Sequence, residues 1–137
     1  KPIYFRESSA IITLVAMSNP NIVIAVSKQP KPLVWLHAQV KTPPFSTDAR
    51  IEAGVLLRQL QEGVNLSMPH SRPMPGIGRG CHELRIQDQN NTWRIVYCLE
   101  PEAIVILEVF SKTSNQTPQS VIDVSKARLK SYDRFEK

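Results

Sequence analysis

The sequence predicts an α+β fold in which a mainly antiparallel four-stranded sheet carries helices packed on one face. Three segments rich in β-branched and aromatic residues follow one another, separated by connections of four residues that are typical of hairpins. Two amphipathic helical patterns flank these segments. A length of 137 residues suits one domain with its own core.

The first predicted elements are a strand and a helix. Polar and apolar residues alternate over Leu33–Val40, which predicts a strand that Pro43 and Pro44 end. Apolar residues then recur at helical spacing over Ala49–Gly63, preceded by residues that can cap a helix and closed by a glycine that can end it. This helix is the clearest local signal, and we interpret its apolar face as core.

The later elements are three strands and a second helix. The strands are expected at Cys81–Gln87, Thr92–Cys98 and Ala103–Phe110, and the helix at Gln119–Tyr132. Asn65–Gly80 is rich in proline and glycine and is expected to be an irregular loop. Its glycines do not predict a dinucleotide site, since that motif needs a strand before the glycines and here a strand follows them.

Residues 1–31 are expected to be an N-terminal extension, and residues 32–137 the functional domain. The β-branched run Ile22–Ile24 suggests a short strand in the extension. The chain begins at Lys1 and Met17 is internal, so we expect the first sixteen residues to be an extension rather than part of the core domain.

Composition narrows the function classes without choosing one. The net charge of +5 permits a nucleic-acid partner but does not require one. The longest apolar runs are far shorter than the roughly 20 residues that cross a bilayer, so no membrane partner is expected. Two cysteines and three histidines match no zinc pattern, and no metal site is expected.

Charges on the predicted sheet suggest a site. In the first hairpin, a four-residue connection places Arg85 opposite Arg94 and Cys81 opposite Cys98, with Glu83 on the same face as the arginines. Like charges placed opposite each other destabilise a sheet by up to about 1 kcal/mol. Two interpretations remain: a solvated face on which Glu83 bridges both arginines, or an anion site at which guanidinium groups bind phosphate.

Four short blocks resemble a known family. Cys81–Arg85, Trp93–Tyr97, Val109–Lys112 and Thr117-Pro118 together resemble the phage-derived, HigB-like branch of the RelE/ParE toxin superfamily. The resemblance spans about Pro32–Tyr132. It implies a RelE-like fold and a cytoplasmic, ribosome-dependent endoribonuclease that cuts mRNA, without metal or small-molecule cofactor, by attack of the ribose 2′-hydroxyl on the adjacent phosphate. The implied partners are ribosome-bound mRNA and a helix-turn-helix antitoxin.

The resemblance also implies catalytic roles. Arg85 and Arg94 would bind the scissile phosphate, Lys112 would support the leaving group or the RNA backbone, and Glu83 or His82 would transfer a proton. One departure from the family is that a single lysine follows the last strand where relatives often carry two.

Three residues are expected to bind RNA: Arg79, His82 and Tyr97. By strand alternation His82 and Tyr97 fall on the core face, so packing is the competing interpretation for both. Two other functions also stay open: a gyrase-directed toxin that is not a nuclease, and a phage remnant that has lost catalysis.

Overall fold

The computed structural model describes residues 29–37, 39–112 and 116–136. Five strands and two helices follow in chain order: β1 (Leu33–Trp35), α1 (Thr47–Gln61), β2 (Ser71–Pro73), β3 (Cys81–Gln87), β4 (Thr92–Leu99), β5 (Ile104–Lys112) and α2 (Gln119–Glu136). The strand expected at Ile22–Ile24 and nearly all of the expected extension lie outside the described residues, so the division at residue 31 stays a prediction.

The sheet is mixed and has five strands in the order β1-β5-β4-β3-β2. β1 runs parallel to β5, and every other neighbouring pair is antiparallel. The expected mainly antiparallel four-stranded sheet is therefore wrong. The fifth strand, β2, lies in the segment expected to be irregular, and its Pro73 is tolerated because β2 is an edge strand with no further ladder to donate to.

The two helices cover opposite faces of the sheet, so the expectation that helices pack on one face is also wrong. Leu56, Leu57 and other buried residues of α1 pack with Leu84 and Ile95 on one face. Tyr132 of α2 packs on the other face with apolar side chains of the same strands. Ile95–Cys98 of β4 and Ile104–Leu107 of β5 are apolar on both sides, which is typical of a sheet covered twice.

The α1 helix is stabilised at both ends by the residues that predict it. The Ser46 hydroxyl accepts a hydrogen bond from the Ala49 N–H at 3.0 Å, and Gly63 follows the helix with a φ of 90°. The Asp88 carboxylate, in the β3–β4 turn, accepts from the Ser46 N–H at 2.9 Å and from Trp93 Nε1 at 2.8 Å. These bonds lower the pKa of Asp88 and tie the start of α1 to the hairpin.

A β-bulge in β5 changes which side chains share a face. Tyr97 pairs with Ile106 but Val96 pairs with Glu108, which leaves Leu107 as an extra residue in β5. The Leu107 carbonyl instead accepts a hydrogen bond from Arg128 of α2 at 2.7 Å. Beyond the bulge the alternation reverses, so Phe110 packs on the α2 face and not on the face of Ile104 and Ile106.

The first hairpin has the register that its four-residue connection predicts. Cys81 pairs with Cys98 and Arg85 with Arg94. Both cysteines are buried, reduced thiols. A hydrogen bond with Cys81 and burial raise the pKa of the Cys98 thiol, so this thiol is protonated at neutral pH.

Candidate anion-binding site

Four cationic side chains surround one carboxylate on the α2 face of the sheet. Arg72 comes from β2, Arg85 from β3, Arg94 from β4 and Lys112 from the end of β5, with Glu83 of β3 among them. We call these five residues the cation cluster. No other acidic group perturbs the pKa of Arg85 or Lys112 among the described residues, so the cluster carries a local excess of positive charge.

The buried centre of the cluster is an ion pair between Glu83 and Arg94. Arg94 Nη1 donates to Glu83 Oε1 at 2.6 Å, and the two side chains are 2% and 0% exposed. A buried charge is tolerated only when it is paired and hydrogen-bonded. The pair therefore fixes the position of the Arg94 guanidinium inside the sheet.

Arg72 and Thr117 complete the contacts of the carboxylate. Arg72 Nε donates to Glu83 Oε1 at 3.2 Å, and the Thr117 hydroxyl donates to Glu83 Oε2 at 2.6 Å. Arg72 Nη2 in turn donates to the Thr117 hydroxyl oxygen at 3.0 Å. Both carboxylate oxygens thus accept hydrogen bonds from protein groups, which makes Glu83 the organising acceptor of the cluster.

Lys112 brings a buried ammonium group to the cluster. The residue is 7% exposed, and its Nζ has no hydrogen-bond partner in the part of the chain that the structure describes. Burial lowers the pKa of Lys112; Glu83 opposes that effect, and the neighbouring arginines add to it. The bulge at Leu107 is what turns Lys112 to this face, because without it Lys112 would share the face of Ile104 and Ile106.

Arg85 is the most available cation of the cluster. It is half-buried, has no ion-pair partner among the described residues, and lies directly opposite Arg94. Burial lowers the pKa of Arg85, and the charges of Arg94 and Arg72 add to this effect. In an antiparallel ladder, pairs of residues joined by backbone hydrogen bonds alternate with pairs that are not. Asp88–Asn91 and Gly80–Leu99 are hydrogen-bonded pairs, so Arg85 and Arg94 form a pair without backbone hydrogen bonds to each other. Side chains approach most closely in such pairs.

The arrangement suits binding of a phosphate group. The guanidinium fork of Arg85 and the ammonium of Lys112, which has no hydrogen-bond partner among the described residues, can supply donors of charge-assisted hydrogen bonds. They are carried by strands and by a buried ion pair rather than by mobile loops, so little ordering is needed when an anion binds. A phosphate would compensate both the electrostatic repulsion among the cations and the missing hydrogen bond of Lys112.

The remaining sequence-predicted residues lie elsewhere. His82 and Tyr97 are on the α1 face, where their rings stack at a centroid distance of 5.4 Å and the Tyr97 hydroxyl is hydrogen-bonded to Ser71 at 2.6 Å. Arg79 is exposed in the turn before β3, and its carbonyl accepts from Cys98 Sγ at 3.5 Å. The sheet therefore separates His82 and Tyr97 from the cation cluster.

Sequence reasoning missed Arg72 as a site residue and gave Thr117 no role in the site. Arg72 is in the proline-rich segment that showed no strand alternation, and its contacts are 11 residues away at Glu83 and 45 residues away at Thr117. The available signal for Thr117 was its place in the Thr-Pro block that accompanies the strands in the resemblance.

No helix in the described ranges is long and apolar enough to cross a membrane. No group of three or more histidine, cysteine, aspartate or glutamate side chains in those ranges could hold a metal ion.

Comparison with known proteins identifies the family. No curated protein matches the sequence significantly. The family model described as "Phage derived protein Gp49-like (DUF891)" matches residues 44–130, which include α1, the whole β2–β5 meander and most of α2. The match confirms the phage-derived part of the resemblance, while the HigB-like assignment stays a prediction. Because the matched region is more than half of the 137 residues, the protein belongs to the family of phage-derived Gp49-like proteins.

Proposed function

We propose that this protein is the toxin of a toxin–antitoxin pair and acts as a ribosome-dependent endoribonuclease on mRNA. The observation that carries the proposal is the cation cluster, in which four cations surround the single carboxylate of Glu83 and Lys112 Nζ has no hydrogen-bond partner among the described residues. Membership of a phage-derived family and the sequence blocks that resemble HigB-like toxins support the same function.

The proposed reaction needs no metal and uses the substrate's own nucleophile. The ribose 2′-oxygen forms a bond to the adjacent phosphorus, and the bond from phosphorus to the 5′-oxygen of the next nucleotide breaks. The products are a 2′,3′-cyclic phosphate and a 5′-hydroxyl. The proton of the 2′-hydroxyl passes to solvent, and one proton must reach the departing 5′-oxygen.

Arg85 and Arg94 are proposed to stabilise the charge that accumulates on the phosphoryl oxygens. Fixed donors of this kind act most strongly where water is excluded, and removal of one typically costs a hundredfold or more in rate. Arg94 is held by Glu83 at 2.6 Å, whereas Arg85 keeps its donors for the substrate. Arg85 therefore carries the direct contact in this proposal, and Arg94 supplies a fixed positive field behind it.

Lys112 is proposed to protonate the leaving group. Burial lowers the pKa of Lys112, which makes its ammonium a better acid than an ordinary lysine. The proton that it gives up is regained from solvent after the product leaves. Glu83 has a positioning role, because both of its oxygens already accept hydrogen bonds from Arg72, Arg94 and Thr117.

The test combines growth, RNA and DNA measurements on matched variants. Expression of the wild-type chain should arrest growth and produce cut mRNA on ribosomes, and Arg85→Ala should abolish both. Arg50→Ala is the control, since Arg50 is an exposed arginine on α1, away from the α2 face. Growth arrest with intact mRNA and inhibited gyrase supercoiling would overturn the nuclease proposal in favour of a gyrase-directed toxin.

The chemistry has its own test. An mRNA that carries one 2′-deoxynucleotide immediately 5′ of the cut should resist cleavage, and the unmodified mRNA should leave a cyclic phosphate. Cleavage of the deoxy substrate at the same rate would refute attack by the 2′-hydroxyl. Co-expression with a helix-turn-helix protein encoded next to the toxin gene should restore growth if that protein is the proposed antitoxin.

A further inference from the structure

A concave surface adjoins the cation cluster. A cavity of about 320 Å³ is lined by residues of the edge strand β2, the segment that follows it and the start of α2. Its lining residues are Arg72, Pro73, Met74, Gln116, Thr117 and Ile122. This volume is at the lower end of the range for small-molecule sites, where a single nucleotide fits better than a large ligand.

Arg72 and Thr117 belong to both the cavity and the contacts of the cation cluster. Arg72 donates to Glu83 and to the Thr117 hydroxyl, at 3.2 and 3.0 Å, so two of its donors face the cluster while its side chain also borders the cavity. The Arg72 side chain is 30% exposed. A ligand with an anionic group at the cluster would therefore extend naturally past Arg72 into the cavity.

A flat ring in the cavity would contact both apolar and polar side chains. Met74 and Ile122 are half-buried and belong to the hydrophobic packing on the α2 face. A methionine thioether makes favourable contacts with aromatic rings, and an arginine plane stacks on them. The exposed Gln116 amide provides one donor group and one acceptor, which can bond to the edge of a nucleobase.

We propose that this cavity holds the base of a nucleotide that flanks the phosphate bound at the cation cluster. The inference rests on the proposed function, because the phosphate contact is what brings the base to the cavity. Arg72 then both positions Glu83 and supports the base, and Gln116 determines which base is preferred. Positive charge at the cluster and a cavity beside it with both apolar and polar lining favour single-stranded RNA, whose bases are free to leave the stack.

The test measures binding rather than cleavage. A fluorescent tetranucleotide RNA and a matched tetranucleotide that lacks its bases are titrated into the full chain at low salt, with fluorescence anisotropy as the readout. Stacking of a base on a protein side chain should make the normal RNA bind about tenfold more tightly than the abasic RNA. Met74→Ala and Gln116→Ala should reduce that ratio towards one without weakening the abasic RNA.

The outcomes separate this inference from the proposed function. Equal binding of the two RNAs by the wild-type chain, or an unchanged ratio in both variants, would overturn the base cavity and leave the phosphate site intact. Failure of both RNAs to bind would overturn the phosphate site and the cavity together. Gln116 is exposed, so its variant keeps the test valid if Met74→Ala fails to fold. Thermal unfolding of each variant establishes that point.

Discussion

Replacement of Lys112 by methionine should stabilise the fold and abolish activity. Methionine keeps most of the length of the lysine stem and removes only the ammonium. In the wild-type chain that ammonium is buried near three arginines and one carboxylate, and no described residue forms a hydrogen bond with it. An ammonium in this environment costs stability. We therefore expect Lys112→Met to raise the free energy of unfolding and to lower the activity.

The expected increase in the free energy of unfolding follows from the cost of burying the Lys112 ammonium without a hydrogen bond to any described residue. A buried polar group without a partner costs about 1–3 kcal/mol, and more when it is charged. Lys112→Met should therefore raise the free energy of unfolding by about 1–3 kcal/mol, or the Tm by about 3–9 °C for a domain of this length. Urea unfolding at pH 7 measures the first quantity, and Lys126→Met, on the exposed side of α2, is the control that should change little.

The difference in stability between the wild type and Lys112→Met should depend on pH. Because the pKa of Lys112 is lowered in the folded chain, the unfolded chain binds more protons between that lowered value and the ordinary lysine pKa of about 10.4. Wild-type stability should therefore rise with pH in this window, and the advantage of Lys112→Met should shrink. If Lys112→Met destabilises the fold at pH 7, or its advantage stays constant with pH, the orphaned-charge reasoning is refuted.

Three further predictions concern stability. Gly80→Ala should lower the free energy of unfolding by about 1–2 kcal/mol in urea titrations, because Gly80 has a φ of 78° and a Cβ there would lie 3.2 Å from the Leu99 carbonyl oxygen; an unchanged stability would show that the turn relaxes. Asp88→Asn should destabilise the chain at pH 7, since the lowered pKa of Asp88 contributes stability above the ordinary aspartate value of about 3.9 that is lost as pH falls below it; the difference from wild type in thermal unfolding should therefore disappear in acid, and a difference that persists there would contradict this. Cys81 and Cys98 should react with a thiol reagent only as fast as the chain unfolds, because both are buried; rapid labelling under native conditions would be the contrary result.

The parts of the fold that depend on local pattern were predictable. The α1 helix begins and ends within two residues of the predicted limits because its cap, apolar spacing and terminal glycine are all local signals. The β3–β4 register follows from one four-residue connection, which fixes every pair including Arg85 with Arg94. This register is why three of the five cluster residues, Glu83, Arg85 and Arg94, were predictable from the sequence.

The errors came from features that involve distant parts of the chain. The bulge at Leu107 inserts one residue without any glycine or proline to mark it, and it moves Phe110 and Lys112 to the other face. The only sequence signal for a second helix-covered face is the nearly uninterrupted run of apolar residues in β4 and β5. An alternating pattern with one buried face does not account for that run. β2 was hidden because an edge strand with a proline resembles a loop.

Four of the five cluster residues were predicted from the sequence, three of them for the same reason. Glu83, Arg85 and Arg94 lie on one hairpin, so strand alternation placed them on one face. Arg72 and Thr117 join them through hydrogen bonds across 11 and 34 residues, which no local pattern predicts. These two contacts favour the interpretation in which Glu83 orients the arginines over the one in which it transfers a proton.

The central claim is that the cation cluster cuts RNA through a direct contact between Arg85 and the scissile phosphate. The most direct measurement is the rate of mRNA cleavage on programmed ribosomes by the purified wild-type chain, Arg85→Ala and Arg50→Ala, with the 3′ end of the product identified. Arg85→Ala should be slower by roughly a hundredfold or more, with unchanged thermal stability, while Arg50→Ala should match the wild type and leave the same 2′,3′-cyclic phosphate. Equal rates for Arg85→Ala and the wild type would contradict the claim.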